Sequence, residues 1–97
     1  SDFGVAVKRL SILQKKRGDY AEAARLWKKA AKAGHMYAHI ELAKYHEHTM
    51  RDVKAALKWT ESARKQAERA DLPAYERKHW LEEIAHRLAR LERKDGI

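Results

Sequence analysis

The chain has 97 residues and a formal net charge of +8, with 22 Lys and Arg against 14 Asp and Glu. A length of this order makes one domain with a thin core, which excludes a multidomain reading. The absence of cysteine excludes disulfides and thiolate metal sites, and no apolar run exceeds three residues, as at Val5–Val7, which excludes a membrane-spanning helix.

One Pro and four Gly interrupt a chain rich in Ala, Leu, Lys, Arg and Glu, a bias that favours helix. The spacing predicts a first helix from about residue 3 to 16, with Phe3, Ala6, Val7, Leu10 and Leu13 on one face and Asp2 as its cap. Gly18-Asp19 breaks it. Asp19 caps a second helix, in which Tyr20, Ala23, Ala24, Trp27, Ala30 and Ala31 recur at helical spacing, and Gly34 ends it where a left-handed residue is needed. A third helix is predicted from about residue 36 to 47, carrying Ala38, Leu42 and Tyr45 with Ile40 and Ala43 beside them. Asp52 caps a fourth helix bearing Val53, Ala56, Leu57, Thr60, Ala63, Ala67 and Ala70. Asp71-Leu72-Pro73 breaks the chain again, because Pro disfavours helix in the residue before it. A last helix, from about residue 74 to 94, spaces Leu81, Ile84, Leu88 and Leu91 by three, four and three.

Part of this pattern repeats. Asp19, Tyr20, Ala23, Leu26, Trp27 and Ala30 are matched 33 residues on by Asp52, Val53, Ala56, Trp59, Thr60 and Ala63. Ala6, Leu10, Ser11 and Leu13 are matched 32 residues on by Ala38, Leu42, Ala43 and Tyr45. Small residues at Ala23 and Ala56 let helices approach closely, and the large ones at Trp27 and Trp59 fill the gap to a neighbouring hairpin. The fold expected is all-α and single-domain over residues 1–97. It comprises two stacked antiparallel helical hairpins (3–34 and 35–70) and a C-terminal capping helix (74–94), five helices in all.

Gly18-Asp19-Tyr20, followed by Ala23, Trp27 and Ala30, resembles the second half of a tetratricopeptide repeat. The stretch from Lys29-Ala30-Ala31 through Gly34-His35, Ala38, Leu42-Ala43 and Tyr45 is similar to the Sel-one-like variant, which commonly has Trp at the position held by Trp59. A narrower likeness runs over nearly the whole chain. Glu41–His48, Arg51-Asp52, Ala56-Leu57, Trp59-Thr60 and Arg87–Leu91 with Arg93-Lys94 are similar to the C-terminal helical tail of bacterial ribonuclease H-like exonuclease proteins. The first likeness implies a protein-binding scaffold. The second implies an accessory piece of a longer protein whose nuclease carboxylates lie upstream. The missing initiator Met fits that expectation, and a chain without cysteine or a signal peptide is expected in the cytoplasm.

No catalytic, cofactor or metal site is expected. His35 with His39, His46 with His48, and His79 with His86 form pairs that bring no third ligand at a familiar spacing, and no serine or threonine sits in a recognisable nucleophile turn. The expected site is the inner face built by the first helix of each hairpin, with Lys8, Ile12, Lys15 and Lys16 from one and Tyr37, Ile40, Lys44 and His48 from the other. Val5 and Glu47 are placed on the same face. A mixed basic and apolar groove suits an acidic peptide or protein segment, with no small-molecule substrate and no membrane. Some tetratricopeptide domains clamp a terminal carboxylate with paired Lys and Asn. Lys8 stands at one such Lys position, but Ile12 and Glu41 occupy the Asn positions. The alternative is nucleic-acid binding by the outer face of the second helix, through Arg25, Lys28, Lys29 and Lys32. Residues 1–34 hold nine Lys and Arg against three acids, so the excess charge is assigned to the first third of the chain.

Overall fold

The computed structural model describes residues 2–69 and 71–96, and every side chain among them except those of Asp2 and Phe3. Five α-helices follow in order: α1 (Asp2–Lys16), α2 (Tyr20–Lys32), α3 (Met36–Lys44), α4 (Val53–Arg69) and α5 (Ala74–Asp95). The described residues contain no strand.

Local chemistry sets the boundaries. At the end of α1, Gly18 takes φ +80° while its amide bonds the Lys15 carbonyl at 3.0 Å and the Asp19 amide bonds Gln14 at 2.9 Å. α2 closes the same way, with Gly34 at φ +87°, Gly34 N to Ala31 O at 3.0 Å and His35 N to Ala30 O at 3.0 Å. This paired closure satisfies carbonyls a helix end leaves open, and it needs a residue without Cβ at the left-handed position. Asp19 and Asp52 then cap the helices that follow, accepting from the amides of Glu22 (3.2 Å) and Ala55 (3.0 Å). The Asp2 cap falls on a side chain outside the description. α3 stops sooner than its apolar spacing predicts. From Tyr45 to Thr49 the backbone widens into a π-helical turn, closed by Met50 N to Tyr45 O at 3.0 Å, and Arg51 then takes a left-handed φ of 56°.

α1 with α2 and α3 with α4 form two helical hairpins that stack on each other, and α5 packs along α4. Ala23, Ala30, Ala38, Ala56 and Ala63 are fully buried and bring the helices close. Trp27, 3% exposed, fills the space between hairpins, edge-on to Tyr45 with ring centroids 6.4 Å apart. A second core joins Ile40, Ala63, Ala67 and Ile84, with Met36, Trp80, Leu81 and Leu88 around it, so α5 covers the far side of the second hairpin.

Two expectations about faces are corrected. The first helix turns Gly4, Ser11 and Val7 inward, whereas Ala6, Leu10 and Leu13 stand exposed at the open end of the stack. The apolar stripe of α1 has no neighbouring hairpin to cover it. Ile40 is buried core and not groove, since Met36, Ile40 and Glu47 form one stripe at helical spacing and α5 lies over that stripe.

Candidate binding groove

Lys8, Ile12, Lys15 and Lys16 project from α1 toward α3 because they fall on the flank of the stripe through Gly4 and Ser11 that packs inward. Tyr37 and Glu41, one turn apart on α3, face them, and Tyr20 and Trp27 of α2 add aromatic surface. Together with Ser11 these residues line one groove of about 610 Å³. A smaller recess of about 200 Å³ continues it, sharing Lys15, Tyr20, Trp27 and Glu41 and reaching Lys44, Tyr45 and His48. Seven of the eight groove residues read from the sequence therefore come together. Ile40 does not, and Glu47 has also turned away.

Three contacts give the groove its electrostatics. The Lys8 ammonium lies 5.2 Å from the centre of the Tyr37 ring, a cation–π arrangement. Lys15 reaches across to the Glu41 carboxylate at 3.4 Å, and Lys44 approaches the same carboxylate at 3.7 Å. Lys16 carries no ion pair among the described residues. Burial raises the Tyr37 hydroxyl above its ordinary pKa, the Ser11 hydroxyl opposes this and the Glu41 carboxylate adds to it, so Tyr37 stays neutral. The Ser11 hydroxyl itself donates to the Lys8 carbonyl at 2.8 Å.

No family model matches the chain, and no curated protein or solved structure is significantly similar to it. The site is therefore read from its geometry. Ser11, Tyr20, Trp27 and Glu41 are the lining residues that the sequence did not assign. Ser11 was recoverable, since Lys8, Ser11 and Lys15 are three and four apart on one helix. Tyr20 and Trp27 carried only a core signal.

Glu47 has a structural role instead. It is 4% exposed and accepts from Arg90 (2.6 and 3.2 Å), Lys94 (2.6 Å) and Arg87 (3.3 Å), all on α5. Burial alone pushes its pKa up, but the hydrogen bonds from Arg90 and Lys94 outweigh this and hold it at about 2. The signal for this contact was present as the seven-residue step from Ile40 to Glu47.

The other basic surface is divided. Arg25 is ion-paired with Glu22, and Lys29 lies close enough to the same carboxylate to lower its pKa. Lys28 and Lys32 are exposed on a different flank of α2. The histidines do not converge: His39 is buried against Ser62, His46 is partly buried beside Tyr45, and His79 pairs with Glu83 on α5. Among the described residues no three metal-ligating side chains gather, and no helix is long and apolar enough to cross a membrane.

Proposed function

We propose that the protein is a non-catalytic scaffold, a tetratricopeptide- or Sel-one-like module that holds an acidic peptide or protein segment between α1 and α3. In this reading it serves as an accessory domain of a larger cytoplasmic protein, such as a bacterial ribonuclease H-like exonuclease. The observation that carries the binding role is the groove itself. Lys8, Lys15 and Lys16 surround a surface made by Ile12, Tyr20, Trp27 and Tyr37. Aromatic and aliphatic surface supplies the anchoring energy of a peptide interface, while flanking cations select the charge of the ligand.

Glu41 bears on how such a segment enters. Its carboxylate holds Lys15 and Lys44 in the unbound protein, standing in for an acidic group of the ligand. An exposed pair of this kind is worth less than about 1 kcal/mol, so an incoming carboxylate backed by apolar contacts displaces it. The test is selection from a randomised octapeptide library, followed by fluorescence anisotropy on the enriched sequences. Enrichment of Asp or Glu beside an aromatic or aliphatic residue is expected. Ile12→Asp or Tyr37→Ala should weaken those peptides at least tenfold, and Glu41→Gln should tighten them by removing the resident competitor. Enrichment without acidic residues, or binding indifferent to Ile12 and Tyr37, would sink the proposal.

A further inference from the structure

The side of the protein away from the groove has a second charged surface. α2 and α4 lie side by side there. Gln66 Nε2 donates to the Gly34 carbonyl at 2.9 Å, and the His39 ring sits between the Ala31 carbonyl and the Ser62 hydroxyl, 2.7 Å from the latter. Toward the other end, His46 feels both Lys28 of α2 and Asp52, the cap of α4. The start of α4 thus neighbours the middle of α2, and the late part of α4 neighbours its end. The two helices run in the same direction and flank a common cleft.

Along α4 this cleft is a depression of about 460 Å³ lined by Lys58, Ser62, Lys65 and Arg69, with Glu61 and Leu57 at its edge. Lys28 and Lys32, one turn apart, are exposed on the α2 side. These five cations form no ion pair among the described residues, and the Glu61 carboxylate is taken by Arg64 at 2.7 Å. The charge excess that the sequence assigns to the first third of the chain is therefore continued by α4 in the folded protein.

We propose that the cleft between α2 and α4 binds the phosphate backbone of a single-stranded nucleic acid. From Lys58 to Arg69 the helix advances about 16 Å at 1.5 Å per residue. A stacked strand carries about five phosphates over that distance, at roughly 3.4 Å each. Five unpaired cations meet them, and the Ser62 hydroxyl offers a further polar contact. A polypeptide partner fits less well, because Leu57 is the sole large apolar side chain in the lining and offers little anchor. No described element projects from this face to enter a duplex groove, so recognition runs through the backbone and tolerates any base sequence.

Fluorescence anisotropy with an end-labelled 20-nucleotide oligothymidylate, at salt concentrations from 50 to 200 mM, tests this. Five phosphate contacts at about 0.7 counterion each give a log–log salt slope near −3.5, about a 100-fold loss of affinity over that range. The triple variant Lys58→Gln, Lys65→Gln, Arg69→Gln should reduce the slope by about 2, and Lys28→Gln with Lys32→Gln by about 1.4. A charge-matched variant elsewhere, Arg9→Gln with Lys78→Gln and Arg93→Gln, should leave the slope in place. Equal weakening by that control would mean diffuse attraction and overturn the site. So would the absence of binding at 50 mM salt, equal binding of a duplex, or equally effective competition by polyglutamate of the same length. These readouts are independent of Ile12 and Tyr37, so this cleft and the peptide groove stand or fall separately.

Discussion

α1 and α3 occupy equivalent places in the two hairpins, yet they live in different surroundings. Leu42 of α3 is fully buried, while its counterpart Leu10 is 43% exposed. Tyr45 packs on Trp27, while its counterpart Leu13 faces out. Glu47 is sealed under Arg87, Arg90 and Lys94, while Lys15, 32 residues earlier, lies in the open groove with Glu41. The second hairpin has neighbours on both sides, α2 on one and α5 on the other, and the first has a neighbour on one side. A stacked array has an interior and an end, and a side chain's contribution depends on which it occupies.

The sharpest way to break this comparison is to make the same cut in both hairpins. Leu42→Ala should cost about 2–5 kcal/mol, as for a sealed leucine whose removal leaves a cavity. Leu10→Ala should cost less than about 1 kcal/mol, as for a surface change. Equal losses in urea denaturation would show that α1 is covered in solution.

Glu47→Gln comes next, at about 2–3 kcal/mol near neutral pH. This is less than for a fully enclosed pair, because Arg90 and Lys94 can turn to solvent. Its folded pKa of about 2 lies below the ordinary 4.5. The stabilisation it gives is therefore complete above pH 4.5 and is lost as pH falls from there toward 2. The gap in melting temperature between wild type and variant should close over that window. A gap that stays constant would remove the ion cluster from the account.

The smallest effect concerns His39, whose counterpart in α1 is Val7. Burial lowers the His39 pKa below 6.5, the Ala31 carbonyl offsets part of this, and Arg69 adds to it. The unfolded chain binds this proton more readily than the folded one, so stability is present above pH 6.5 and declines below it. His39→Val should flatten the fall in melting temperature between pH 6.5 and 5. Part of the fall should survive, because burial depresses His46 as well. An unchanged profile would mean that His39 does not titrate with unfolding.

The sequence by itself determined the helices, their caps and their pairing. Those features come from contacts within a few residues: Asp19 and Asp52 with amides three residues on, Gly18 and Gly34 at left-handed positions, and Ala23, Ala56 and Trp27 at a common spacing. It also determined most of the groove, since Lys8, Ile12 and Lys15 share a flank of α1 wherever that helix packs. Only the tertiary structure decided what each flank meets. A helical wheel shows that Ile40 and Glu47 share a stripe but not that α5 covers it, or that no hairpin covers Leu10 and Leu13. It equally hides the meeting of Lys28 and Lys32 with Lys58, Lys65 and Arg69, because helical spacing fixes direction around one axis while neighbours are set by the placing of other axes.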